Sequence, residues 1–356
     1  MKKQTGLSLV ELMVAMVLGL LVVAAVIELF ISSRQLYRTQ DVKARMQEDG
    51  RYAIFHIGEF LSRAGYRGCN SLSTQKAADD DDATSGEAQG GRVMENMLTT
   101  DTSYFWSMDE PVSGHESAGN NWAPAKPGDL TDAIPGSDIL TIRTVGAAYI
   151  PILSQQSDHF DIGANNGLDN CDPGSEPTCS NIVMVSNCEF TTVFQVSNDP
   201  SSGDLYYAPN VGTPGNKNEP LEGIYGPNSW VNTIASHSFY IRNNADGMPS
   251  LYQKTNDSPV QALLEGVEQM QVSYGVDSNG DLSVDSYENA NNVGFWSDVI
   301  SVRISLVMIN LDGTSTDTNL ALGDGSYFLD GVEVTPDDGR LRRVYTQTIM
   351  LKNRSS

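Results

Sequence analysis

The chain has 356 residues, 22 Lys/Arg against 45 Asp/Glu, and a formal charge of −23. That length holds one large domain or two ordinary ones, and 40% hydrophobic with 19% charged residues is enough for a packed core, which excludes wholesale disorder. So acidic a chain repels a phosphate backbone, which excludes general nucleic-acid binding.

The charge is unevenly spread. Residues 1–68 carry nine Lys/Arg and six Asp/Glu, whereas residues 69–356 carry 13 and 39. Lys2 and Lys3 precede a run from Leu7 to Ile31 that is apolar apart from Ser8, Glu11, Gly19 and Glu28. As a helix this run spans roughly 37 Å, enough to cross a hydrocarbon core of about 30 Å. The two lysines place the N-terminus on the cytoplasmic side. A signal peptide is the plain alternative, but no small-residue cleavage site followed by loop residues closes the run. Glu11 is the anomaly, because a carboxylate in an apolar span is costly and calls for a partner.

From Ser32 to Ala64 there is no Pro, and Leu36, Val42, Met46, Tyr52, Phe55, Phe60 and Leu61 recur near helical spacing. The pattern predicts one amphipathic helix continuing from the apolar run, with Gly50 and Gly58 as weak points and Gly65 and Gly68 suited to its end. Residues 69–137 read as a loop-rich acidic insertion in which Asp79 to Asp82 form a solvated run. Strand signals follow at Ile139–Val145, at Asn181–Val196 as two strands or a bent one, at Ser238–Arg242 with Ser250–Lys254 as a hairpin, and at Gln269–Tyr274, Asp298–Ile309 and Arg343–Leu351. Val260–Val267 is left as a pairing strand or a turn. Turn-rich joins between these strands imply an antiparallel sheet.

The leader Gly6-Leu7-Ser8-Leu9-Val10-Glu11-Leu12-Met13-Val14-Ala15-Met16 resembles the class III leader of type IV pilins and pseudopilins. That resemblance implies cleavage by prepilin peptidase between Gly6 and Leu7, methylation of the new N-terminus, and an assembly role for Glu11 as the fifth mature residue. Leu7 stands where the family usually has Phe. A carboxylate held among apolar helices can be neutralised by a neighbouring subunit's N-terminal ammonium, which would set axial register. Downstream, Gly65-Tyr66-Arg67-Gly68-Cys69, Asp138-Ile139-Leu140, Ser186-Asn187-Cys188-Glu189, Leu264 to Val272 and Tyr274-Gly275-Val276-Asp277 resemble the PilW-type minor pilins in their shared order. The implied fold is α+β and type IV pilin-like: a long N-terminal helix packed on an antiparallel β-domain with large loop insertions. The expected organisation is a leader at 1–6, a transmembrane and filament-core helix at 7–31, its amphipathic continuation at 32–68, the insertion at 69–137 and the β-domain at 138–356.

The sharpest chemical pattern runs from Asp277 to Glu288. Asp277, Asn279, Asp281, Asp285 and Glu288 occupy positions 1, 3, 5, 9 and 12 of a twelve-residue EF-hand-like loop, and Ser283 at position 7 would offer its carbonyl. The pattern predicts calcium. Leu282 departs from it, standing where Gly normally permits the sharp turn, and an ordinary acidic turn is the competing reading.

Four cysteines are too few for a small disulfide scaffold, and none forms a C-x-x-C pair, so a zinc ribbon or thioredoxin-like site is excluded. They lie beyond the apolar run, where disulfides persist. Cys171 and Cys179 bracket a loop containing Pro and Gly and are the expected local pair. Cys69 and Cys188 would then join the helix end to the sheet, although four cysteines allow three pairings.

No catalytic constellation stands out. His56, His115, His159 and His237 are scattered, with His56 expected on the long helix, and there is no H-E-x-x-H, G-x-S-x-G or P-loop. Trp230, Trp296, Tyr206 and Tyr207 read as packing residues more than a sugar platform. The resemblance therefore implies a structural minor pilin of the inner membrane, displayed at a pilus base or tip. Its implied partners are prepilin peptidase, other minor pilins, the major pilin and a tip adhesin, in twitching motility and surface attachment. A minor pseudopilin of type II secretion is the alternative within that machinery. A membrane-anchored periplasmic hydrolase or sugar-binding module is the alternative outside it.

Overall fold

The computed structural model describes residues 9–66, 94–99, 104–107, 110–146, 149–176, 179, 181–187, 190–256, 258–311, 326–329, 331–336, 338 and 340–353. One helix, α1 (Leu9–Leu61), takes up the whole Pro-free stretch. It ends where Ala64 forms an isolated bridge to Thr144 and Gly65 turns the chain at φ 74°, a left-handed conformation that costs glycine nothing. Contacts divide the chain into two compact units: Met1–Asp49 with Ile309–Arg343, and Gly50–Met308 with Val344–Ser356.

The first unit holds most of α1 and a short hairpin, Tyr327–Leu329 against Val332–Val334, turned by Gly331 at φ 82°. Arg342 closes on Asp338 in a two-pronged ion pair at 2.6 and 2.8 Å, which holds the Asp338 carboxyl at about 2.

The second unit carries the sheets. Its main strands in chain order are β1 (Met94–Asn96), β2 (Val112–Ala118), β3 (Asn121–Ala123), β4 (Ile139–Val145), β5 (Ile182–Ser186), β6 (Thr191–Gln195), β7 (Trp230–Asn243), β8 (Pro249–Thr255), β9 (Gln261–Glu265), β10 (Val267–Val276), β11 (Ser286–Glu288), β12 (Val299–Ile309) and β13 (Arg342–Met350). The last two run a residue or two across the boundary between the units. The larger sheet has the order β1-β6-β5-β7-β4-β2-β3, with β8 also on β7 and β9 on β8. β7 is its spine, because 14 residues suffice to pair β5 near Val231, β4 from Ile234 to Phe239 and β8 from His237 to Asn243. All its ladders are antiparallel except β1 with β6. The smaller sheet has the order β11-β10-β12-β13.

Sequence expectation and structure part company in one place, and two readings left open are resolved. Residues 69–137 were expected to be a loop-rich insertion, yet β1, β2 and β3 lie inside that range and extend the larger sheet. Their short runs, Met94-Glu-Asn96 and Val112-Ser-Gly-His-Glu-Ser-Ala118, lack an apolar alternation, so pairing rather than propensity makes them strands. The Val260–Val267 stretch resolves as a strand, since β9 pairs with β8 around Leu251 and Leu264. Asn181–Val196 is two strands, β5 and β6, paired as a hairpin.

Two clasps fix the second unit. Asp138, at the entry to β4 and 2% exposed, accepts the backbone N–H of Ser117 from β2 and of Val272 from β10, both at 2.9 Å. One buried carboxylate thereby ties the two sheets. The second clasp is the helix: Ala53, Ile54, Ile57 and Leu61 are buried, and Phe60 lies 5.6 Å from the Phe239 ring of β7. Gly50 and Gly58 are the positions where β13 comes closest. A Cβ on Gly50 would lie 2.5 Å from Cε2 of Tyr345, and one on Gly58 3.3 Å from Cδ1 of Ile349.

Candidate assembly and ligand sites

Glu11 lies in the first turn of α1, where the helix dipole favours a carboxylate. Gly6 and Leu7, the expected processing residues, lie outside the described residues. From Leu9 (76% exposed) to Ile31 (51%), every large apolar side chain on α1 is more than half exposed. Each gains about 1.5–3 kcal/mol on full burial, so this surface gains tens of kcal/mol from lipid or other apolar helices. Among the described residues α1 is the one helix long and apolar enough to cross a membrane.

The Asp277–Glu288 loop is built around Asp277, which is 4% exposed. Its Oδ1 accepts the N–H of Gly280 at 2.7 Å and of Asp281 at 3.2 Å, and its Oδ2 that of Leu282 at 2.9 Å. Asn279 Oδ1 accepts from Asp281, and Asp281 Oδ1 from Ser283. The exposed Asp285 accepts the hydroxyl of Ser278 at 2.6 Å and its N–H at 2.9 Å, which hold its carboxyl below the usual range. Leu282, the departure from the calcium-loop pattern, adopts φ 67°. A leucine here thus makes the left-handed turn that glycine makes freely, at a cost of roughly 1 kcal/mol. Glu288 stands in β11 opposite Tyr274, away from the first turn of the loop. Among the described residues no three His, Cys, Asp or Glu side chains are gathered in metal-binding geometry.

Cys171 and Cys179 form the expected local disulfide, with Cα atoms 5.7 Å apart. Cys69 and Cys188 lie outside the described residues. The aromatic residues weighed as a sugar platform pack on protein rings. Tyr206 stacks on His159 at 4.6 Å, Tyr207 meets Phe160 at 5.5 Å, Trp296 meets Tyr274 at 4.8 Å and Trp230 meets Tyr149 at 6.2 Å.

Two of the histidines prove to be linked. His56 does sit on α1, and its Nε2 reaches Oε1 of Gln253 at 3.2 Å, whose amide Nε2 in turn donates to Nδ1 of His237 at 3.1 Å. Sequence reasoning missed this link because 197 residues separate His56 from Gln253. The periodicity that puts His56 beside Phe60 on the helix is the one signal that reached it.

The first 27 residues match a family model for the prokaryotic N-terminal methylation motif, and residues 238–353 match the model described as Type IV Pilus-assembly protein W. Over these two regions the chain is similar to the PilW-type pilins. No curated protein and no solved structure matches it. The matched C-terminal region runs from the middle of β7 to the end of β13 and includes the Asp277–Glu288 loop. The leader motif implies processing by prepilin peptidase and assembly with other pilins. Together with the apolar exposed helix, the two matches support a pilin related to type IV pilus assembly and suggest a membrane anchor.

Proposed function

We propose that the protein is a structural, non-catalytic minor pilin that primes pilus assembly or stands in the tip complex, serving twitching motility and surface attachment. It enters the inner membrane with its C-terminal part in the periplasm, loses residues 1–6, and moves α1 from lipid into a bundle of pilin helices. The observation that carries this reading is the apolar, exposed α1 with Glu11 in its first turn, directly behind the matched leader. Glu11 sets register against a neighbouring subunit's N-terminal ammonium, and the acidic domain contacts other minor pilins and a tip adhesin. Mass spectrometry of the mature N-terminus tests the processing: a methylated Leu7 is expected, and a start beyond Ala25 overturns the reading. Loss of surface pili on deletion, with secretion intact, separates this role from that of a type II secretion pseudopilin. The second pair, Cys69–Cys188, belongs to the same proposal and is read by non-reducing peptide mapping.

Calcium at the Asp277–Glu288 loop is the second proposal, supported by the oxygen spacing and by the left-handed Leu282 at the position of the usual glycine. An ion would draw on Asp277, Asn279, Asp281, Asp285 and Glu288 together with the carbonyl of Ser283. Saturating calcium is expected to raise Tm by several degrees, the size of about 2–3 kcal/mol of linkage. Asp281→Ala is expected to abolish the rise. Equal melting of the parent in calcium and in chelator would sink the idea.

A further inference from the structure

The linked histidines lie where the last three turns of α1 meet the larger sheet. His237, on β7 and 9% exposed, is held on both ring nitrogens: Nδ1 by Gln253 at 3.1 Å and Thr255 Oγ1 at 3.0 Å, and Nε2 by Thr144 Oγ1 of β4 at 3.2 Å. The Phe60 ring of α1 covers it at 4.3 Å, and His56 reaches it through Gln253. The polarity of this chain is determined throughout. His56 Nε2–H donates to the Gln253 carbonyl, the Gln253 amide donates to His237 Nδ1, and His237 Nε2–H donates to Thr144. With Gln253 in this orientation it closes when Nδ1 of His237 carries a lone pair.

We propose that His56–Gln253–His237 is an acid-sensitive latch, in which a proton added at Nδ1 of His237 reverses the polarity of the chain and loosens residues 50–61 of α1 from the sheet. With Nδ1 protonated, its N–H can donate to Thr255 Oγ1, but the Gln253 amide then faces a second donor unless Gln253 turns its carbonyl toward His237 and its amide toward His56. Two donors then face each other at the helix unless the His56 ring also turns or loses its Nε2 proton. No carboxylate offsets the new charge among the groups facing the site. The helix side presents His56 and Arg63, with Glu59 exposed; β4 presents Thr144 next to Arg143; β8 presents Gln253, Thr255 and Lys254. Arg143 is committed to the carbonyls of Glu110 and Tyr104, and Lys254 to the carbonyl of Ser258.

Electrostatics sets the direction. Burial, and after it the charges of Arg63 and His56, lower His237 from the ordinary 6.5 to about 4. The undocked ring therefore takes its proton first. Docking is fully stabilised above pH 6.5 and loses that stabilisation as pH falls toward 4, by on the order of a hundredfold in the docking equilibrium.

Hydrogen exchange of the full chain in detergent micelles, corrected for intrinsic rates, reads this between about pH 7 and about pH 4.5. Protection of residues 50–61 is expected to fall tenfold or more, while that of Val299–Met308 in β12 holds. His237→Gln, which keeps a hydrogen-bonding side chain but cannot titrate, is expected to remove the response. Unchanged protection of 50–61 in the parent would overturn the latch, as would equal loss from 50–61 and 299–308, or a response persisting in His237→Gln. The first two outcomes are read on the parent and do not depend on the variant folding.

Discussion

A single carboxylate carries the first turn of the Asp277–Glu288 loop. Asp277, itself 4% exposed, accepts three backbone N–H groups, of which that of Asp281 is shared with Asn279 Oδ1. Replacing it with Ala removes the acceptor common to all three and should cost about 1–3 kcal/mol, with urea unfolding as the measurement. Asp285→Ala is the contrast, because its partners Ser278 and Asn279 are exposed and have water as a substitute. Its midpoint should stay close to that of the parent. At this scale the sequence was legible wherever spacing alone encodes chemistry: Glu11 behind the leader, and the alternating oxygens from Asp277. It was silent on Asp138, quoted only as part of a motif, whose clasp needs Ser117 and Val272 brought to it by two different sheets.

Among the elements, α1 illustrates how a local rule yields to packing. Gly50 and Gly58 read as weak points, each costing up to about 1 kcal/mol of helix propensity relative to Ala. In the fold they are the two places where β13 approaches the helix backbone. The side chain of Tyr345 occupies the space that a Cβ on residue 50 would need. Gly50→Ala should therefore destabilise by about 1–3 kcal/mol through overpacking. Gly58→Ala, facing only the flexible tip of Ile349 at 3.3 Å, should be neutral or gain up to about 1 kcal/mol. Thermal melting of the two variants side by side checks the difference, and equal losses would contradict the account. The strands divide along the same line. β4, β7, β8, β10 and β12 were readable from their apolar runs, which are buried on one or both faces, whereas β1, β2 and β3 owe their conformation to the ladders they complete.

For the whole molecule, the uneven charge corresponds to two different environments. The 17 large apolar side chains between Leu9 and Ile31 need lipid or other helices around them. Alkaline carbonate washing of membranes should accordingly leave the full chain in the pellet, and recovery in the supernatant would contradict an integral anchor. The acidic remainder, with 13 Lys/Arg against 39 Asp/Glu, has a net negative charge that favours water around it. The pilin-like plan was legible because the leader, the Pro-free helix and the strand periodicities all agree. The division of contacts after Asp49, partway along α1, was not legible, because nothing in the helical pattern marks which turns a distant strand will cover.

The pairing of β13 with the two helix glycines also has a consequence for the order of events during synthesis. The helix leaves the ribosome well before the strand whose Tyr345 and Ile349 seat against it. The anchor is therefore in place while the groove at Gly50 and Gly58 still waits for its filling. A chain stalled or clipped before Tyr345 therefore carries the helix with this contact missing.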